Sequence, residues 1–210
     1  MSAISPSLSL PAFVKPMLAS SGTAFDDDNY LFEIKWDGIR MLAFLEADRY
    51  RLINRHGIDT TERYPEFAFL AGLAPGTILD GEMVVLHRGK PDFALLQSRD
   101  KTRSPLKVRT LSQVEPATYI VFDLLYENHV PVLDRPLLER RERLEDLVRQ
   151  WSRPRLVFSQ SILGKGRVLF AETCRQHLEG IMAKKVTSIY QPGKRGPDWI
   201  KIKPRFQENG

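Results

Sequence analysis

YLFEIKWDGIRMLAFLEADRYRLINR, residues 30–55, is the stretch that decides how this chain folds. YLFEIKW (30–36) and IRMLAFLE (39–46) carry the aromatic and branched residues of strands, and a short turn at Ala47–Asp48 returns the chain through RYRLINR (49–55). The three segments read as a β-meander. Downstream, Thr61 stands where it could cap a short helix over 62–70, with Pro65 limiting where the first turn lies. TILDGEMVVLH (77–87) is a further strand, punctuated by Arg88-Gly89-Lys90-Pro91, and residues 93–98 suggest a short helix. TYIVFDLLY (118–126) is apolar enough for a buried strand.

Farther on, LLERRERLEDLVRQW (137–151) sets Leu137, Leu144, Leu147 and Trp151 on one helical face. Arg140, Arg141 and Arg143 on that helix are expected to pair with neighbouring Glu residues. Residues 166–178 form a second amphipathic helix, and strands EGIMAKK (179–185) and DWIKIK (198–203) flank a Gly/Pro-rich loop at 191–197. Strands mixed with separate helices predict an α+β domain with largely antiparallel sheets. The expected layout is an extended N-terminal segment over 1–15, rich in Ser and Pro and running over the surface, a domain over 16–205 and a tail over 206–210.

Composition narrows the function only a little. The chain has 210 residues, 42% of them hydrophobic and 27% charged, enough for one domain with a substantial core. Its 31 basic against 26 acidic residues give a net charge of +5, which favours an anionic partner such as a nucleotide or nucleic acid. Cys174 is the one cysteine, so neither an intramolecular disulfide nor a cysteine-cluster metal site can form. The N-terminus lacks the pattern of a secretory signal, and no apolar run is long enough to span a membrane. A cytoplasmic protein without membrane association is the simplest reading.

The chemistry lies in five short motifs. Lys35-Trp36-Asp37-Gly38 ends a strand, with Arg40 two residues on; taken alone, K-x-D-G is a weak signal and reads as a surface turn. Asp80-Gly81-Glu82, Phe122-Asp123, Glu179-Gly180-Ile181-Met182-Ala183-Lys184 and Trp199-Ile200-Lys201-Ile202-Lys203 follow in order. Each has an ordinary structural explanation by itself. Phe122 and Met182 would be core residues, Lys201 and Lys203 the solvated face of a strand, and Glu82 and Glu179 turn acids. His56 and His87 show no metal-ligand spacing.

In this order and spacing the five motifs, over residues 15–205, resemble the covalent nucleotidyl-transferase superfamily of DNA ligases, RNA ligases and mRNA capping enzymes. Glu33, two residues before the lysine, and the segment Asn54-Arg55-His56-Gly57 through Tyr64-Pro65-Glu66 are similar to the ligase domain of bacterial end-joining DNA ligases. The resemblance implies a fold of two antiparallel-rich sheets flanked by helices, with the nucleotide in the cleft between them. It implies ATP as cofactor, AMP held covalently as an intermediate, Mg²⁺ or Mn²⁺ as the metal, nicked duplex DNA as partner and a cytoplasmic, nucleoid-associated location.

Residue by residue, the resemblance makes Lys35 the nucleophile, with Lys201 and Lys203 gripping the α-phosphate. Glu33 would read the adenine amino group, Glu82 hold the ribose, and Phe122 and Met182 sandwich the base. Arg40 and Arg55 would lie near the ribose and the nicked strand's phosphate, Glu179 would bind the metal, and Asp37 would support the lysine loop. The residue types suit the reaction, because an amine must be uncharged to attack phosphorus, and cationic neighbours and a bound metal favour that form. Competing readings are an RNA ligase sharing the first step and a catalytically silent nucleotide- or DNA-binding module.

Family members continue past the last motif into an oligonucleotide-binding (OB) β-barrel, whereas only PRFQENG follows Lys203 here. The expectation is a domain without a C-terminal OB-fold, either cut from a longer enzyme or a natural minimal form, with the module or a repair partner supplied by another chain or a missing segment, and weak nick sealing by this chain alone.

Overall fold

The computed structural model describes residues 9–204. Among the described residues, twelve strands form two sheets. The first runs, in spatial order, β1 (Leu18–Ser21), β12 (Arg195–Ile202), β11 (Ile181–Lys185), β2 (Asp27–Ile34) and β10 (Ser161–Gly164). The second runs β4 (Tyr50–Asn54), β3 (Ile39–Leu45), β5 (Thr77–His87), β7 (Ala117–Glu127) and β8 (Val130–Pro131). The short β6 (Lys90–Pro91) pairs with β5, and β9 (Leu156–Phe158) pairs with β7. Among the described residues only β1/β12 and β7/β9 pair in parallel, so the expected antiparallel-rich α+β architecture is what forms.

The opening meander is where the reading of the sequence was wrong. β3 and β4 do pair as a hairpin, but β2 pairs with β10 and β11 in the other sheet. Strand pattern fixes which residues lie on one face, not which strand is the neighbour. The consequence is functional: Lys35-Trp36-Asp37-Gly38 is the link by which the chain crosses from one sheet to the other.

Three apolar layers hold the domain. Leu31 and Trp199 from the first sheet meet Leu42, Phe44, Ile78 and Phe122 from the second, so a core lies between the sheets. Phe32, Ile181, Ala183 and Ile202 point the other way, against Leu169 and Phe170 of helix α4 (Gly166–Arg175). The outer face of the second sheet packs Met41, Leu79, Tyr119 and Val121 against Leu96 of α1 (Phe93–Lys101) and Leu144 of α3 (Leu137–Trp151). Each such fully buried large side chain contributes roughly 1.5–3 kcal/mol.

α3 has the expected bounds, but several elements differ. Residues 62–70 are two 3₁₀ turns, Thr61–Arg63 and Pro65–Leu70, because Pro65 interrupts the hydrogen-bond ladder. The Thr61 hydroxyl does not cap; it accepts from the Leu52 amide and donates to Asp59. α1 is capped by the Asp92 side chain, which accepts from the Leu95 amide, and it runs to Lys101. Helix α2 (Pro105–Val114) was not foreseen, since Val108 is its one buried residue and leaves little periodicity to read. α4 stops at Arg175 rather than 178, with His177 in a left-handed conformation, and β12 begins at Arg195, inside the expected loop. Within the expected surface segment 1–15, residues 1–8 lie outside the described residues; Val14 is buried, and Leu10 and Phe13 pack against the inter-sheet core.

Candidate active site

The crossing link opens onto a cleft of about 570 Å³ between the sheets. It is lined by Glu33, Lys35, Arg40, Arg55, Glu82, Phe122, Glu179, Met182 and Lys201, residues drawn from all five motifs. Lys203 lies beside the cleft and reaches it through Glu179.

The backbone at Lys35 is fixed before its side chain is considered. The Lys35 amide donates to the Gly180 carbonyl at 2.9 Å, extending the β2–β11 pairing one residue past the strand. Gly180 has φ +134°, and a Cβ there would lie 2.1 Å from the Ile202 carbonyl oxygen. On the other side of the link, a Cβ on Gly38 would sit 2.3 Å from the Met83 carbonyl oxygen. The glycines of K-x-D-G and E-G-x-M-x-K therefore allow backbones to approach where side chains would collide.

Glu179 organises the lysines. Its Oε2 lies 2.5 Å from Lys35 Nζ and its Oε1 lies 2.5 Å from Lys203 Nζ. Lys35 and Glu179 are each about one-fifth exposed, so the pair remains reachable from the cleft. Burial and the negative charge of Glu179 raise the pKa of Asp37 above the ordinary carboxylate value, against the lowering effect of Lys35 and Lys203. Among the described residues no group of three or more His, Cys, Asp or Glu side chains is arranged to hold a metal.

On the second sheet, Asp80 and Glu82 project inward from β5, which bulges between Asp80 and Gly81 in its pairing with β7. Arg40 forms a two-pronged pair with buried Asp80, with Nε–Oδ1 and Nη2–Oδ2 both 2.5 Å. Asp80 also accepts a 2.6 Å hydrogen bond from the Tyr190 hydroxyl. Its guanidinium thus held, Arg40 lies 4.6 Å from the centre of the Phe122 ring. The Glu82 carboxyl, half-buried beside it, is pushed up to about 8 by desolvation, which outweighs the attraction of Arg40 and Lys35. Arg55, exposed at the rim, donates to the His56 ring at 3.1 Å.

The buried end of the cleft, around Glu33 and Phe122, contains what the sequence reading missed. Glu33 is 2% exposed, and it pairs with Arg141 at 3.0 Å and with Lys184. Lys184 Nζ lies 4.0 Å from the Phe122 ring centre and 4.4 Å from that of Trp199; burial lowers its pKa, against the raising effect of Glu33. Lys184 was legible as the last letter of E-G-x-M-x-K. Arg140 and Arg141 were not, because they were expected to pair along their own helix. Both instead turn inward, Arg140 to Asp123 and Arg141 to Glu33; only Arg143 does as foreseen, pairing with Glu139, and also with Glu127.

Comparison with known proteins agrees with this geometry. Residues 16–203 match the family described as ATP dependent DNA ligase domain. The SPbeta prophage-derived DNA ligase-like protein LigB of Bacillus subtilis is 32% identical over 192 residues, covering 90% of this chain and 67% of that protein. The multifunctional non-homologous end joining protein LigD of Pseudomonas aeruginosa is 35% identical over 202 residues, covering 95% of this chain and 23% of that protein. The structure of a mycobacterial DNA ligase D complexed with ATP and MES superposes with a TM-score of 0.76 at 33% identity, covering 90% of this chain and 60% of that one.

The fold and cleft are those of a nucleotidyltransferase with two sheets around a nucleotide site. The chain belongs to the ATP-dependent DNA ligase domain family, as the ordered motifs implied, and corresponds to its catalytic domain. It spans less than two-thirds of the solved ligase D chain and about a quarter of the P. aeruginosa relative. Among the described residues, no helix is long and apolar enough to cross a membrane.

Proposed function

We propose that Lys35 attacks the α-phosphorus of ATP, forming a P–N bond as the P–O bond to pyrophosphate breaks, and that the AMP so held passes to the 5′-phosphate of nicked DNA. The observation that carries this reading is the position of Lys35 Nζ, in the cleft and 2.5 Å from Glu179, whose other oxygen holds Lys203.

In this reading the adenine ring lies between Phe122 and Met182, an aromatic face and an adaptable thioether. Glu33 accepts from the exocyclic amine. Glu82, its carboxyl neutral below about 8, can both donate to and accept from ribose hydroxyls. Lys201 and Lys203 neutralise the α-phosphate oxygens as charge builds. Arg40 and Arg55 supply planar donors toward ribose and the nicked strand's phosphate. Asp37 supports the loop that carries Lys35.

A carboxylate at the phosphate end of a cleft suits Mg²⁺, which binds through one or two carboxylates and completes its shell with phosphate oxygens and water, so Glu179 fits as the protein's ligand. When bound, such a cation would offset phosphate charge and weaken the hold of Glu179 on the Lys35 amine. Efficient sealing of duplex DNA would draw on an OB-fold module or repair partner, and a cytoplasmic, nucleoid-associated setting suits that substrate.

Incubation with α-labelled ATP and Mg²⁺ followed by denaturing electrophoresis tests the reading. Label should stay on the wild type and be lost with Lys35→Ala, and it should move to nicked duplex DNA on addition. Equal label on both proteins removes Lys35 from the role.

A further inference from the structure

Arg141 lies on α3 but acts on both sheets. Its guanidinium donates to Glu33 Oε2 at 3.0 Å, the Phe122 carbonyl at 3.1 Å, the Ser159 carbonyl at 2.6 Å and Ser161 Oγ at 3.3 Å. It also lies 4.6 Å from the centre of the Phe158 ring and is almost wholly buried. Glu33 belongs to β2 in the first sheet and Phe122 to β7 in the second. One rigid cation therefore spans the two groups that form the base end of the cleft.

We propose that Arg141 is a positioning residue for base selection, holding the Glu33 carboxylate in register with the Phe122 ring so that a purine is chosen by its exocyclic amine. This rests on the reading that the base lies beside Phe122 and Glu33. A carboxylate has about four lone-pair directions and no proton to donate. Arg141 engages Oε2 and Lys184 engages Oε1, which fixes the carboxylate plane at the cleft wall and leaves each oxygen a lone pair for a further donor. An amine can meet them; a ring carbon cannot, and a carbonyl would be repelled.

The guanidinium suits this task better than an ammonium. Its planar fork distributes donors over four acceptors at fixed angles, whereas a lysine is a point charge on a flexible stem. Because the Phe122 contact is to the backbone carbonyl, losing the fork also removes a direct tie between Glu33 and the backbone that carries the Phe122 ring.

The test compares ATP with purine riboside triphosphate, which lacks only the 6-amino group, as donors for labelling Lys35 in wild type, Arg141→Lys and Arg141→Met. Wild type should favour ATP by roughly ten-fold or more in kcat/KM, the discrimination one hydrogen bond to a charged group supplies. In Arg141→Met the preference should fall to within about three-fold, mainly through a higher KM for ATP, with Arg141→Lys intermediate. A purely structural role would slow both nucleotides alike and leave the preference intact, and that result overturns the proposal. Should Arg141→Met fail to fold, an undiminished preference in Arg141→Lys overturns it equally. A wild type that labels Lys35 with both nucleotides indifferently would remove Glu33 as the base reader and end this proposal with it. A wild type that takes no label from either would instead refute the functional reading on which it stands.

Discussion

Arg140→Met is the sharpest test of how the F-D motif is held in place. Arg140 and Asp123 are both fully buried, with Nε–Oδ1 2.7 Å and Nη2–Oδ2 2.8 Å. The remaining guanidinium nitrogen donates to the carbonyls of Arg135 at 2.6 Å and Ser188 at 3.0 Å. Methionine fills similar space but leaves the Asp123 charge without its partner and takes a donor from the Arg135 and Ser188 carbonyls, of which Ser188 keeps the Leu137 amide. Removing one member of such a pair costs about 3–5 kcal/mol. For a domain of this size, each kcal/mol shifts Tm by about 2–4 °C, so a drop of roughly 6–20 °C is expected in thermal unfolding followed by circular dichroism. Adding Asp123→Leu to Arg140→Met should recover part of the loss, because the stranded charge is gone. A single-variant drop of less than about 2 °C, or no recovery in the double variant, would refute the view that this pair anchors β7 to α3.

Two further substitutions probe the cleft. Glu82 has a pKa raised to about 8 in the folded protein, so between the ordinary carboxylate range and pH 8 the folded state binds a proton that the unfolded state releases. Stability should therefore fall as pH rises through that window, and Glu82→Gln should flatten the fall; urea midpoints that rise with pH relative to the variant would contradict this. Gly180→Ala forces a Cβ against the Ile202 carbonyl at a φ of +134° and disturbs the carbonyl that holds the Lys35 amide. It should lower stability by more than about 1 kcal/mol and slow Lys35 labelling, checked by melting and by labelling rate; wild-type values in both would count against the close approach.

What the sequence made legible follows a physical pattern. Strong local signals were read correctly: the apolar run through Phe122, the helix carrying Leu137, Leu144, Leu147 and Trp151, and the mixed α+β content. The ordered motifs brought Lys35, Glu179, Met182 and Lys201 into one cleft, although nothing in their spacing shows that the K-x-D-G link joins two sheets. That error arose because β2 and β3 are close in sequence and equally strand-like, while the choice of neighbour depends on distant β10 and β11. Arg140 and Arg141 were misread for a related reason. Glu145 stands four residues from Arg141 on its own helix, whereas Arg140 has no acid three or four residues away, and only the tertiary position of Asp123 and Glu33 shows where the two charges are used. α2 left almost no trace, since a helix that buries one residue needs no apolar stripe.

The central claim is that the Lys35 side-chain nitrogen is the atom that becomes bonded to phosphorus. Peptide mapping by mass spectrometry after incubation with ATP and Mg²⁺ reads this directly. An AMP adduct confined to the peptide containing Lys35, and missing from Lys35→Ala, is the result expected. An adduct on another residue, or an unchanged adduct in Lys35→Ala, would contradict the account.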